Sequence, residues 1–250
     1  MSFYQVFDFL RDLNQNNHKE WMDENRKRYE LNRDFVISWA NDLMAKVAKA
    51  DGEFKPVTGK KAISRINNNL MFHPEKPVYK DHFGVEMNLS GGPSGFYVQL
   101  GLTGNFIGGG IWSPTKEQLE KIRGAIDYNG DELQKIIDKK SFKNTFGKLS
   151  EQDQLKTAPR DYSQDHKNIE LLRRKRFAAM TDITQQDILS DDFDKKVVDI
   201  YKKMMPLGKY LNKAVSFYID YLTTLPLGQS PPGLTKVNFP SSSSAIKIIP

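Results

Sequence analysis

The sequence predicts an α+β fold, a mainly antiparallel sheet covered by N-terminal and C-terminal helices. Three observations carry this. Residues 18–50 place apolar side chains at helical spacing over a long stretch. Residues 83–112 alternate apolar and polar positions, with connections too short for a parallel crossover. Residues 191–222 return to the helical period.

In residues 3–14, Phe3, Val6, Phe7 and Leu10 form one helical face, and the asparagines around Asn14–Asn17 end it. The long helix over 18–50 carries Trp21, Met22, Tyr29, Val36, Trp39, Leu43, Met44 and Val47, with a bend expected near Glu30–Asn32. The pairs Asp23/Lys27 and Glu24/Arg28 stand four apart in the favourable order. Gly52, Pro56 and Gly59 stop the helix. Ala62–Asn67 reads as a short strand. Phe83, Val85, Met87 and Leu89 alternate with polar or small residues, as do Phe96, Val98 and Leu100, so 83–101 is expected to be a hairpin with a four- or five-residue loop around Gly91–Gly95. Asn105–Trp112 reads as a third, glycine-rich strand. Thr115 and Gln118 make a capping box that opens a helix to about Tyr128. A second helix is expected over Gly130–Lys140, then short strands and loops over 141–160, a helical turn at Asn168–Leu172 and a strand at Arg176–Met180. Two final helices, Asp191–Met205 and Pro206–Leu222, are expected to hinge at Pro206. One domain over 1–225 and an extended or disordered tail over 226–250, rich in Pro, Gly and Ser, complete the reading.

The 250 residues are 38% hydrophobic and 27% charged, a globular composition that excludes a mostly disordered chain. There is no cysteine, which excludes disulfides, a thiol nucleophile and thiolate metal sites. Asp8, Arg11 and Asp12 interrupt any secretory pattern near the start, and no apolar run is long enough to span a bilayer. A soluble cytoplasmic protein without a membrane partner is the expectation.

The formal charge of +6 is unevenly spread, since residues 201–250 hold six lysines against one aspartate. A second excess, 11 basic against 5 acidic residues, runs from Lys139 to Arg176. Such stripes suit nucleic acid through counterion release. The acids from Asp182 to Asp199 cancel the local field and argue against that partner.

Several blocks resemble a conserved-hypothetical family, domain of unknown function 2461. They are Phe9-Leu10 with Trp21; Arg65-Ile66, Phe72, Lys76, Tyr79-Lys80 and Phe83-Gly84; and Phe96–Leu100 with Phe106–Pro114. Pro159–Tyr162 with Asp165-His166, and Leu171-Leu172 with Lys175 and Phe177, complete the series. The resemblance covers roughly residues 5–215 and rests on the ordered set of blocks. It implies a fold and a site region, without a reaction. Between Arg65 and Phe72 the family usually has Arg-Asp and then Arg. Here those positions are Asn68, Asn69 and Met71, and Glu75 replaces the Asp before Lys76. If that set does chemistry in relatives, it is lost here. If it is a structural ion network, asparagines substitute neutral hydrogen bonds.

The leading candidate site is a polar groove from Arg65, Lys76, Tyr79, Lys80 and His82, facing Gly108, Gly109, Gly110 and Trp112. Glycines let a backbone approach a ligand, and the helix starting near Pro114 offers free N–H groups to an anion. The structural alternative is that these glycines permit a bulge or close packing. P-loop and G-x-G-x-x-G spacings are absent. His166, beside Asp165 and near Arg160, is a candidate general base. His73 and His82 lack metal-site spacing, so no metal and no cofactor is expected.

Two functional classes follow. One is a binding module for an anionic, phosphate-bearing small molecule. The other is a metal-independent hydrolase-like enzyme with His166 or His82 as base and Arg65 or Arg160 as anion stabiliser. A protein–protein scaffold is a third, to be marked by an apolar patch on the C-terminal helices.

Overall fold

The structure, a computed structural model, describes the backbone of residues 1–224 and the side chains of residues 1–216. The expected tail lies outside the described residues. Three helices open the chain: α1 (Phe3–Gln15), α2 (Lys19–Glu24) and α3 (Arg26–Ala50). A single turn follows, α4 (Gly59–Ala62), and then strands β1 (His82–Asn88), β2 (Gly95–Gly101) and β3 (Phe106–Ile111). Helices α5 (Lys116–Asp138), α6 (Lys140–Phe146) and α7 (Ile169–Leu172) lead to β4 (Phe177–Asp182), and α8 (Gln185–Leu189) and α9 (Phe193–Thr224) come last. The strands make one antiparallel sheet in chain order, so the α+β class is as expected.

Alternation sorts the sheet into two faces. Phe83, Val85, Met87, Phe96, Val98, Leu100, Ile107, Ile111, Phe177 and Ala179 are buried on one of them. That face meets the helices: Phe83 stacks on Tyr29 of α3, and Phe96 meets Tyr201 of α9 edge-on at 5.1 Å. The buried apolar side chains form one contiguous cluster. The other face is partly open, with Glu86, Met180 and Asp182 exposed and Tyr97, Gln99 and Phe106 half-buried.

Several elements differ from the expectation for identifiable reasons. The bend in the first long helix falls at Asn25, whose side-chain amide donates to Trp21 O at 2.9 Å and closes α2 before α3 starts. Residues 62–67 do not form a strand. They meet the β1 segment only at the bridges Ile63↔Val85 and Asn67↔Tyr79. Four residues separate the bridges on one side and six on the other, so no continuous ladder can form. Residues 141–160 contain no strand, because Phe142 and Phe146 stand four apart and bury one face of α6. The sheet is therefore completed from this region by β4 alone. Helix α9 is continuous through Pro206 rather than hinged there. Pro206 removes one hydrogen bond, but Val197, Ile200, Tyr201, Met204, Leu207 and Leu211 form an unbroken buried stripe that holds both halves in line. The Thr115–Gln118 capping box is present, and α5 is divided at Asn129, whose φ of −152° is not helical. The short α8, not foreseen, is capped by Thr184 and Asp187.

A buried polar cluster fixes the helices to the hairpin. Asp51, just past α3, accepts hydrogen bonds from Ser90 Oγ and Tyr201 Oη, both at 2.8 Å, and from Glu53 N–H. Tyr201 Oη in turn accepts the Ser90 N–H. Burial acts to raise Asp51, but these bonds outweigh it and hold the carboxyl below its ordinary value. Burial keeps Tyr201 protonated, so it donates.

Tyr201→Phe removes the donor to Asp51 and the acceptor of Ser90 N–H. The expected cost is about 2 kcal/mol in urea unfolding at pH 7. A depressed carboxyl stabilises above its unfolded value and loses that contribution as pH falls. The gap between wild type and Tyr201→Phe should therefore shrink as pH drops below about 4.

Candidate functional site

The approach to β1 is set from outside the sheet. Asn17, between α1 and α2, bonds both backbone groups of Tyr79: its Nδ2 donates to Tyr79 O at 3.0 Å and its Oδ1 accepts Tyr79 N–H at 2.8 Å. Tyr79 itself is buried. Lys80 N–H then bonds Ile66 O, and Lys80 Nζ donates to Arg65 O at 2.6 Å. Burial lowers the Lys80 pKa, and the charges of Arg65 and Lys76 lower it further, so the three cations lie close enough to repel. None of them forms an ion pair among the described residues.

His82 follows on the same strand. Its Nδ1 lies 3.0 Å from Asp81 Oδ1, and Asp81 Oδ2 accepts the Thr103 hydroxyl at 2.9 Å. A carboxylate accepts, so Nδ1 carries the proton, and Nε2 has no partner among the described residues. Alternation puts His82, Gly84 and Glu86 on the open face. The register sets Tyr97 opposite Glu86 and Gln99 opposite Gly84 on that face. Tyr97 leans across Gly84, where a Cβ would collide with its hydroxyl and lie 2.9 Å from Ser64 Oγ. The Tyr97 and Phe106 rings are 5.6 Å apart at 33°.

The glycine strand lies farther along. Gly110 pairs with Gly95, which pairs with Asn88, six residues along β1 from His82. That is roughly 20 Å at about 3.3 Å per residue. The structure therefore places His82 and Gly110 at opposite ends of the sheet, and the compact groove expected between them does not form. The glycines have packing reasons. A Cβ at Gly109 would lie 2.8 Å from Met204 Cγ of α9. Gly110 has φ +115°, and a Cβ there would collide with Phe177 O. Trp112 stacks under Arg176, whose guanidinium carbon is 4.4 Å from the ring centre and whose Nε donates to Asp153 at 3.0 Å. The α5 start is already served, since Thr115 and Gln118 satisfy each other and Glu117 sits in the first turn. It does not offer the open anion site expected there.

Arg160 and His166 belong to neither end. Arg160 is exposed. His166 Nε2 faces Asp127 of α5 at 3.0 Å, while its Nδ1 accepts Asn168 N–H at 3.0 Å. Both ring nitrogens are engaged, so the expected general base has no nitrogen left to take a proton. Instead His166 pins its loop to α5, assisted by Asn168 Nδ2 on Ile126 O. Burial and the Asp127 charge push the neighbouring Tyr162 up to about 12. A separate recess of about 590 Å³ lies between α5, α6 and α9, lined by Lys135, Lys139, Phe142, Lys202 and Pro206 among others.

A family model described as Conserved hypothetical protein (DUF2461) matches residues 5–210. The chain belongs to that family. Neither a curated protein nor a solved structure matches it. In this DUF2461 chain, Asn68 bonds across the ribbon, Nδ2 to Pro77 O at 2.9 Å and N–H to Val78 O. Asn69 O accepts the Phe72 and His73 N–H groups, and Met71 is exposed. Asn68 thus holds the Arg65–Lys80 ribbon by neutral hydrogen bonds, with no ion network.

From sequence, Asp81 is a candidate only as a metal ligand, and Ser64, Tyr97, Thr103 and Phe106 are not singled out. Alternation of Phe96, Val98 and Leu100 already put Tyr97 on the outward face. Nothing local signalled that Ser64 would lie beside Tyr97 at Gly84, or that Thr103 would bond Asp81.

Two outcomes follow. Gly110→Ala should cost at least about 2 kcal/mol in denaturant unfolding, since an L side chain there is strained and collides with backbone. In nitrogen-15 NMR, the neutral form of His166 should carry its proton on Nε2 and the neutral form of His82 on Nδ1.

Proposed function

We propose that this protein binds an anionic, phosphate-bearing ligand at the β1 edge of the open sheet face. The observation that carries this is the cluster of Arg65, Lys76 and Lys80, three cations drawn together at one edge without a paired carboxylate. Folding like charges together is unfavourable unless something relieves the repulsion. A phosphate does so and gains charge-assisted hydrogen bonds, worth about 1.5–3 kcal/mol each. Arg65 supplies a planar fork, while Lys76 and Lys80 act as point charges.

A second reading rests on one observation. His82 is oriented by Asp81 and keeps Nε2 unengaged, the arrangement a general base needs. A metal-independent hydrolase would then use His82 as base and Arg65 as anion stabiliser. The scaffold reading has less support, because the exposed large apolar residues among those described lie mainly in loops and not on α9. No described helix is long and apolar enough to cross a membrane. We take the protein to be cytoplasmic.

In a calorimetric titration, pyrophosphate should bind wild type with an affinity that falls as salt rises. Arg65→Ala and Lys80→Ala should each weaken it about tenfold or more, with melting temperatures little changed. Because Lys80 is lowered in the free protein, affinity should begin to fall at a lower pH than an ordinary lysine would dictate. No binding by wild type at low salt would end this reading. Release of product from a chromogenic phosphate or carboxylate ester, abolished by His82→Ala, would favour the hydrolase.

A further inference from the structure

The open face next to the three cations has a definite chemical polarity. At one end stand Arg65, Lys76 and Lys80. Beyond His82 come the tilted rings of Tyr97 and Phe106, half-buried and 5.6 Å apart. Beside the rings stand Glu86, opposite Tyr97 on β1, and Asp182, opposite Phe106 on β4, both exposed and neither in an ion pair among the described residues. The register fixes these neighbours, with Glu86, Tyr97, Gly108 and Met180 in one row and Gly84, Gln99, Phe106 and Asp182 in the row nearer His82.

We infer that the ligand is a nucleoside phosphate, its phosphates on Arg65, Lys76 and Lys80 and its base on the Tyr97–Phe106 surface. This rests on the anion-site reading above. Aromatic side chains on an open sheet are stacking platforms for bases, since every base has a π face. The absence of a side chain at Gly108 keeps the surface beside Tyr97 low. The close approach of Tyr97 Oη to Gly84 leans the ring toward the cationic end. Gly84 is four residues from Lys80, roughly 13 Å along an extended chain. A lone phosphate or a bare ring cannot bridge that gap, whereas a base, ribose and phosphate chain can. Glu86 and Asp182 repel phosphate but accept hydrogen bonds from ribose hydroxyls or base amino groups, so they orient the ligand. A nucleic acid strand running across the whole face would bring phosphates onto these carboxylates, which disfavours it.

The test is titration of wild type, Lys80→Ala, Phe106→Ala and the milder Phe106→Leu with ADP, GDP, UDP, pyrophosphate and ribose 5-phosphate. At least one nucleoside diphosphate should bind about tenfold or more tightly than pyrophosphate and ribose 5-phosphate. Both Phe106 variants should lose that advantage and keep wild-type affinity for pyrophosphate, while Lys80→Ala weakens all of them. Equal affinity for nucleotides and pyrophosphate, both weakened by Lys80→Ala, overturns the nucleoside inference and leaves the anion site standing. Tighter binding of ribose 5-phosphate than of any nucleotide also overturns it, in favour of a sugar phosphate. A nucleotide preference untouched in Phe106→Leu overturns the placement of the base. No binding of any probe removes both readings together.

Discussion

Asp51 ends α3 as a buried carboxylate with no cation bonded to it. Its charge is accommodated by three donors, a serine hydroxyl, a tyrosine hydroxyl and a backbone N–H, with the positive charge of Lys209 adding support. The donors come from the β1–β2 loop, from α9 and from its own turn, so one carboxylate sets how two helices meet the hairpin. Nearby, Asn212 of α9 bonds Ser94 N–H and Leu89 O, closing the same loop from the other side. An unpaired buried charge is strongly unfavourable, and this arrangement satisfies it only when α3, the loop and α9 are all in place. The sheet inherits its position from that requirement. The positive φ of Ser90, 51°, is the local strain that this loop carries to bring its N–H and hydroxyl to bear.

The sheet then divides the work between its faces. On the core face, Gly109 brings the β3 backbone against Met204, so α9 packs closely. On the open face, glycines recur beside Tyr97 and Phe106, leaving a shallow surface with rings in the middle and carboxylates beside them on β1 and β4. The glycine-rich strand thus shapes both faces without presenting an N–H cradle of its own. Cations reach that surface along a separate route, a loose ribbon of residues 63–68 and 78–85 that the two bridges cannot extend into a ladder. The DUF2461 family match covers this region, and in its turn Asn68 bonds Pro77 O and Val78 O while Asn69 O accepts the Phe72 and His73 N–H groups.

Local patterns settled much in advance. Period two in Phe83–Leu89 and Phe96–Leu100 identified the hairpin and which residues face inward, because side-chain direction in a strand depends only on parity. The Thr115–Gln118 capping box and the pair of helices meeting near Asn129 were legible for the same reason, since capping acts over a single turn. Where local signals conflicted with packing, packing prevailed. Pro206 reads as a break, yet the buried stripe of α9 runs through it. Residues 141–146 read as extended, yet Phe142 and Phe146 find a core to share.

The site was only half legible. By itself the sequence determined the α+β class, the charge of Arg65, Lys76 and Lys80, and the outward parity of Tyr97 and His82. The tertiary structure alone decided that Lys80 Nζ reaches Arg65 O, that Asp81, held by Thr103, faces His82, that Tyr97 leans over Gly84, and that His166 serves as a clamp on α5. It alone separated Gly110 from His82 by the length of the sheet. The reason is one of range. Parity and capping act between near neighbours, whereas these contacts join segments far apart in the chain, such as Asn17 with Tyr79, 62 residues on. Their geometry exists only once register and helix docking are fixed.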